Sequence, residues 1–412
     1  MAGWLAIMIL SLLAMFFIAL NILNISQRTG IICCGIYGFI VENHIINNQC
    51  VINYQTGGIG IVTDKPLNTA LVTGTCALVS GATGFFGGHL VAALQAHGFR
   101  VRALARKTSD ITKLTALGIE IVYGDLNDSE SLQKAAAGQR YVFHTAGKVS
   151  DWGARHEFFT ANEGGTASVI DACKRAGVER LVHISSLTVL GLPRDGRTVD
   201  ETTPYDTDAR DAYSASKIAG ERLALSAHGQ SGLSVTVVRP GVIWGTGDIT
   251  IIPRFAALLR RGVMVYPGGG QNLIAMSHVR NLATGAILAA QTATAGGQIY
   301  HITDGEELTA RQALVSLAHA VGVPPPRLSV PYWVMYGIGA MMELAAKAMG
   351  RVEPPAITRY AVRLVSCHCR YNLDKASSGL GYVPLVNFRT GIVELARDFT
   401  PGFPHSRTTK GV

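Results

Sequence analysis

The run Tyr213-Ser-Ala-Ser-Lys217 sets a phenol four residues before an ammonium. On a helix, residues i and i+4 share a face. An ammonium beside a phenol favours the phenolate and lowers the tyrosine pKa toward working pH, which lets it pass a proton. The following Ile-Ala-Gly-Glu-Arg-Leu-Ala-Leu supports the helix. Upstream, His183-Ile-Ser185-Ser186 ends an apolar strand pattern. Hydroxyls there can reach over the carboxyl edge of a sheet, where ligands of open α/β folds bind. A tyrosine and a lysine four apart are common on helix surfaces, so their meaning depends on what precedes them.

What precedes them is a nucleotide-type turn. Cys76–Ser80 reads as a short buried strand, followed by Gly81-Ala-Thr-Gly84-Phe85-Phe86-Gly87 and an apolar helix pattern through Leu90, Val91 and Leu94. Glycines there let the backbone approach a pyrophosphate, while helix N–H groups and the dipole face the anion. A second strand, 100–105, ends at Arg106 and Lys107. A site for NAD places an acidic side chain in this region to accept from the ribose 2′-hydroxyl; a cation suits a 2′-phosphate instead. NADP is therefore favoured over NAD. A third strand, 119–123, ends in Gly124-Asp125-Leu126, and the alternation continues through strands at 141–144, 180–184 and 235–238. It predicts an α/β, Rossmann-like, doubly wound parallel sheet.

The chain of 412 residues has room for one large or two ordinary domains. With 48% hydrophobic and 16% charged residues it is neither disordered nor fibrous. The net charge of +8 comes without a dense basic run, so no nucleic-acid module is expected; anionic cofactors or lipid headgroups suit it better. Seven cysteines show neither a zinc pattern nor a disulfide framework, and reduced thiols are expected. No charged side chain occurs before Arg28, and 5–23 is apolar except for Ser11 and Asn21. Such a run matches a bilayer core, and without a positive n-region an uncleaved anchor is favoured over a signal peptide. The division expected is a transmembrane anchor or signal at 1–26, an unassigned linker at 27–75, a nucleotide-binding domain with interleaved substrate segments at 76–330, and C-terminal substrate-binding, membrane-proximal helices at 331–412.

Gly81-x-x-Gly84-x-x-Gly87, Gly124-Asp125-Leu126, Phe143-His144-Thr-Ala146, Asn162-x-x-Gly165-Thr166, Ser185-Ser186, Tyr213-x-x-x-Lys217 and Arg239-Pro240-Gly241 occur in this order. Together they resemble the extended short-chain dehydrogenases/reductases over residues 76–400. Trp152, Val242-Ile-Trp-Gly245, Gly269-Gly-Gln-Asn-Leu273 and Ser277-His-Val-Arg280 are most similar to the 3β-hydroxysteroid dehydrogenase group. The resemblance implies that Tyr213 donates or accepts the proton and that Lys217 holds the nicotinamide ribose and tunes Tyr213. Ser186, rather than Ser185, would bond the substrate oxygen. Gly81, Gly84, Phe85, Phe86, Gly87, Arg106, Lys107, Asp125, Leu126, Ala146, Pro240 and Val242 would frame the cofactor, with Asp125 near the adenine and no metal. Asn162 would orient the active-site backbone. Asn281 departs from the Asp often found in relatives, and residues 1–75 have no counterpart in the family pattern.

The function expected is a membrane-anchored oxidoreductase with its catalytic domain facing the cytosol, interconverting a secondary alcohol and a ketone on a lipophilic substrate; a homodimer is compatible with it. The alternatives are a nucleotide-sugar epimerase or dehydratase, a long-chain 3-oxo acid reductase, and a non-enzymatic NADP sensor. The apolar 328–350 region argues against a sugar nucleotide. Residues 333–349 predict a helix either buried or lying in a headgroup plane, with Glu343 and Lys347 able to pair.

Overall fold

The computed structural model describes residues 50–52, 59–61 and 74–399. The chain separates into two units, 1–68 and 69–412. In the first, Cys50–Ile52 and Ile59–Ile61 pair antiparallel, with Cys50 opposite Ile61. This ribbon was not expected in a stretch read as linker, although β-branched Val51, Ile52, Ile59 and Ile61 favour extended backbone. The expected anchor at 1–26 lies outside the described residues. Among the described residues, no helix is long and apolar enough to cross a membrane.

The second unit is built on seven parallel strands: β1 (Cys76–Ser80), β2 (Arg100–Ala105), β3 (Glu120–Tyr123), β4 (Tyr141–His144), β5 (Arg180–Ile184), β6 (Ser234–Pro240) and β7 (Ile299–Ile302). Their spatial order is β3-β2-β1-β4-β5-β6-β7, so the winding reverses between β1 and β4. In such sheets the crevice at that reversal, outside the strands' carboxyl ends, takes the ligand.

The helices that matter below are α1 (Phe85–Ala96), α2 (Ser129–Ala136), α3 (Gly165–Ala176), α4 (Ala212–Ser226), α5 (Val279–Gln291), α6 (Tyr332–Ala348) and α7 (Arg359–Val365). Side chains alternate across each strand. Ala77 and Val79 face one way and pack with Leu90 and Leu94 of α1 and Leu282 and Ala286 of α5. Leu78, Val142 and Leu181 face the other way, onto Leu132 of α2, Ile170 and Cys173 of α3 and Ala224 of α4. Burial on both faces is why these strands read as near-continuous apolar runs.

The turn between β1 and α1 is held by close backbone approach. Gly81 has φ +77°, and a Cβ there would stand 2.7 Å from the Ala146 nitrogen. A Cβ on Gly87 would stand 2.0 Å from the Gly81 carbonyl oxygen, whereas one on Gly88 would meet only Ala82 O at 3.6 Å. Gly87→Ala must therefore push α1 off the turn, and overpacking of this kind costs about 1–3 kcal/mol. Gly88→Ala should be neutral or stabilise by up to about 1 kcal/mol through helix propensity. Denaturant melts of the two variants check this; equal midpoints would refute it.

Candidate active site

The carboxyl ends of the strands gather most residues singled out from sequence. After β1 come Gly81, Gly84 and Gly87; after β2, Arg106 and Lys107; after β3, Asp125 and Leu126; after β4, Ala146. Ser186 follows β5, and Pro240 and Val242 lie at the end of β6. Helix α1 has Gly84 as its N-cap residue, with no side-chain cap and no acidic residue in its first turn. By contrast Asp128, Asp211 and His278 cap α2, α4 and α5 with their own side chains. The first N–H groups of α1, on Phe85 and Phe86, thus remain for an anion, and Gly81 keeps the floor of the crevice bare. These features fit a dinucleotide pyrophosphate.

Arg106 and Lys107 are exposed, and neither forms an ion pair among the described residues. Asp125 accepts from the backbone N–H and the side-chain amide of Asn127, both at 3.0 Å, which fixes its carboxylate at the crevice edge. Leu126 packs against the start of α3, where a Cβ on Gly165 would come within 2.7 Å of its Cδ1.

Asn162 occupies a single π-type turn just before α3, an irregularity common at functional sites. Its Oδ1 accepts from Lys148 N at 2.7 Å, and its Nδ2 donates to Lys148 O at 3.1 Å and Ser216 Oγ at 2.9 Å. Ser216 Oγ donates to Tyr213 O at 2.8 Å, so the loop after β4 is tied to the first turn of α4. His144 extends the network, bonding Ser80 Oγ at 2.7 Å and Thr166 Oγ1 at 3.2 Å. Thr166 spends its one proton on Asn162 O at 2.6 Å. His144 must therefore donate from Nε2 and accept at Nδ1. Burial first, and the Lys217 charge second, hold this ring neutral, with its pKa down to about 3.

The two serines have different employment. Ser185 donates to the Glu221 carboxylate. Ser186 accepts from Thr188 N at 3.3 Å and Thr188 Oγ1 at 3.0 Å, which fills its lone pairs and leaves its own proton to donate outward. Tyr213 is its neighbour: burial pushes the phenol up to about 12, partly offset by hydrogen bonding from Ser186. Lys217 is buried and donates to Ile184 O at 2.9 Å. Burial brings it down to about 8, with the Glu221 charge acting in the opposite sense. The expected tuning of Tyr213 by Lys217 is not what sets the phenol here. Burial, Ser186 and Asp211 are the influences on Tyr213, while the ammonium is turned to the strand-end carbonyl.

Glu221, not singled out from sequence, lies one further turn along α4 and is fully buried. It takes Arg239 Nε at 2.9 Å and Nη2 at 2.5 Å, Tyr205 OH at 2.9 Å, and the Ser185 hydroxyl. The spacing Tyr213, Lys217, Glu221 was a readable signal, since all three fall on one helix face.

Tyr213 opens onto a cavity of about 780 Å³. Trp152, Phe158, Tyr332, Tyr336 and Tyr360 line it, with Tyr360 edge-on to Tyr213 at 5.9 Å. Contrary to the expectation of an apolar C-terminal wall, Arg155, Arg210, Arg359 and Arg363 also line it, and two of them are ion-paired. Arg359 pairs with Glu343 at 2.7 Å, and Arg363 lies 3.6 Å from Asp211. The anticipated Glu343–Lys347 pair does not form, because Arg359 of α7 claims the carboxylate; Lys347 sits 6.0 Å from the Trp152 ring centroid instead. Asn281 is structural: its Nδ2 donates to Asp304 and Val386 O, and its Oδ1 accepts from two backbone N–H groups. No cluster of metal-ligating side chains occurs among the described residues.

Residues 77–303 match the model of the NAD dependent epimerase/dehydratase family. The chain is 32% identical over 330 residues to a 2-alkyl-3-oxoalkanoate reductase of Shewanella oneidensis, covering 77% of this chain and 85% of that protein. It is 30% identical over 333 residues to the decarboxylating sterol-4-alpha-carboxylate 3-dehydrogenase of Bos taurus, covering 79% and 92%. The crystal structure of gox2253 superimposes with a TM-score of 0.65 at 29% identity, over 79% of this chain and 97% of that one. With the match spanning more than half the sequence, this chain belongs to the NAD dependent epimerase/dehydratase family, the extended short-chain dehydrogenases/reductases, among relatives of the 3β-hydroxysteroid dehydrogenase type.

Proposed function

We propose that the chain is an NAD(P)-dependent oxidoreductase that interconverts a secondary alcohol and a ketone on a lipophilic, sterol-like or long-chain substrate. One observation carries the reading: Tyr213, hydrogen-bonded with Ser186 at the carboxyl edge of the sheet, lines an aromatic-walled cavity in a chain whose first helix after the glycine turn starts uncapped. In the reductive direction Ser186 donates a hydrogen bond to the substrate oxygen, and Tyr213 gives it a proton as negative charge develops. Lys217, charged below about pH 8, takes the role of holding the nicotinamide ribose rather than that of tuning the phenol. Oxidation runs the same steps backward. When bound, the nicotinamide supplies or takes the hydride. Asn162 and Glu221 position these groups and touch no reacting atom.

Tyr213→Phe should lower turnover by about 10²–10⁴ while the cofactor still binds. Ser186→Ala should lower it by about 10²–10³, as loss of an oxyanion donor does. Ser185→Ala should instead reduce stability by about 1.5–3 kcal/mol through its lost bond to a carboxylate. Steady-state assays on sterols and 3-oxo acids, with paired melts, separate these; full activity in Tyr213→Phe would remove Tyr213 from the mechanism. Two readings compete for the substrate. The aromatic lining of the cavity favours a lipophilic substrate, and Arg359 and Arg363 are already committed to Glu343 and Asp211, so an epimerase or dehydratase comes second. A long-chain 3-oxo acid stays within the first reading, as the name of the Shewanella relative suggests.

NADP is the cofactor we favour, because Arg106 and Lys107 stand unpaired after β2, where a 2′-phosphate would find them. Arg106→Asp should swing the kcat/KM ratio toward NAD; an unchanged ratio would sink the preference.

We further infer a membrane surface as the enzyme's setting, with the catalytic domain on the cytosolic side. The apolar 5–23 run supports this, as does the outer face of α6. Trp333, Ile338, Met341 and Leu344 are exposed there, with Trp333 about three-quarters so. The opposite face of α6, Tyr332, Tyr336 and Glu343, lines the substrate cavity. Exposed Arg194, Arg327 and Arg351 flank the helix in sequence or, for Arg194, stack on Tyr332 at 3.5 Å. A truncated chain beginning at Thr75 should still partition in part to anionic liposomes, and changing Trp333 and Met341 to Ser should release it. Complete indifference of the truncated chain to lipid in a flotation assay would overturn the interfacial role of α6.

A further inference from the structure

Cys367 and Cys369 follow α7 directly, and their sulfurs lie 3.5 Å apart in a buried setting. Disulfide sulfurs are about 2.05 Å apart, so bonding would draw these two together by roughly 1.5 Å. We propose that this Cys-x-Cys pair is a modification site: a dithiol that a hydroperoxide converts reversibly to an intramolecular disulfide, thereby altering the substrate cavity. Cys369 lines a second cavity of about 310 Å³, bounded by Met276, Asp304, Leu308, Tyr371 and Phe388, which brings a small oxidant up to this residue. Within the pair, Cys369 is the sulfur that ionises first. The Cys367 S–H is the main group lowering it, Tyr371 and the Arg197 charge add to this, and burial and the Asp195 charge oppose them.

The chemistry closes in two displacements. The Cys369 thiolate attacks one peroxide oxygen, the O–O bond breaks, and Cys369 becomes a sulfenic acid while hydroxide leaves and is protonated to water. The Cys367 sulfur then attacks the Cys369 sulfur, the S–O bond breaks, and a second water departs with the Cys367 proton. Two thiols and one hydrogen peroxide thus give one disulfide and two waters. A dithiol reductant such as reduced thioredoxin reverses it by exchange.

The pair is placed to be felt at the active site. It packs with Leu187, Val189 and Leu190, the turn that begins at Ser186, and with Ile218, next to Lys217. Cys367 N donates to Leu364 O at the end of α7, the helix that carries Tyr360 against Tyr213. Asn272 Nδ2 clamps Val365 O at 2.8 Å and Cys367 O at 2.9 Å, so contraction at the sulfurs is transmitted to α7 and the Ser186 turn together.

The effect on turnover rests on the catalytic reading above; the disulfide does not. The full chain is treated with hydrogen peroxide, alkylated and digested with trypsin, which releases residues 364–370 carrying these two cysteines and no other. The expected peptide is lighter by two hydrogens and resists alkylation, while turnover and NADP affinity, the latter read by fluorescence, shift and recover on reduction. Cys367→Ser, or Cys369→Ala if the first variant misfolds, should lose this response. A doubly alkylated peptide, one gaining oxygen instead of losing hydrogen, or a disulfide that leaves cofactor affinity and turnover unmoved would overturn the proposal. Peptide mass and cofactor affinity need no substrate, so failure of the catalytic reading would show separately as absent turnover with both still measurable.

Discussion

The site depends on one buried carboxylate. Glu221 and Arg239 are both almost wholly shielded from water, and Glu221 also receives Tyr205 and Ser185. Two charges leave water at a cost of several kcal/mol each, which only close pairing and further hydrogen bonds offset. Removing one partner of such a pair costs about 3–5 kcal/mol, because the other stays buried and uncompensated. That penalty locks α4 to the ends of β5 and β6, and with it the azimuth of Tyr213 and Lys217. The carboxylate also supports the Lys217 charge, so a structural pair sets the electrostatics of the chemistry.

Around this anchor the carboxyl edge of the sheet is organised by backbone approach more than by side chains. Gly81 against Ala146, Gly87 against Gly81 and Gly241 against Ala275 bring chain segments closer than any Cβ would permit. These contacts keep the crevice open to a ligand and leave the N–H groups at the start of α1 uncapped. The Asn162 amide then joins the loop after β4 to α4, so the cofactor edge is tied directly to the helix of the proton-transfer residues.

The strands were legible because buried parallel strands are apolar runs closed by glycine or polar turns, as at Ser80-Gly81 and Tyr123-Gly124. Their edges were less so: β6 extends from Ser234 to Pro240, beyond the expected 235–238, because Arg239 is buried by a carboxylate 18 residues away in sequence. Local pattern cannot supply a partner so distant. The same limit explains the Glu343–Lys347 expectation, which Arg359 overrides from another helix, and the phenol–ammonium coupling, which gives way to burial and to Ile184 O. The choice of Ser186 over Ser185 came from resemblance. Its physical basis emerges only once Glu221 is seen to occupy Ser185.

The cavity reconciles two demands that composition alone left in tension. A lipophilic substrate wants an apolar wall, yet the loop after β4 and helix α7 bring Asp151, Arg359 and Arg363 to the same space. Pairing resolves it: Arg254 holds Asp151 at 2.8 Å, Glu343 holds Arg359, and Asp211, which also caps α4, approaches Arg363. These ion pairs fix the shape of the wall, while Trp152, Phe158, Tyr332, Tyr336 and Tyr360 supply its aromatic surface. Helix α6 then carries one face, with Tyr332, Tyr336 and Glu343, that lines the cavity and another, with Trp333, Met341 and Leu344, that is exposed, so a single element shapes the site and presents apolar surface outside it.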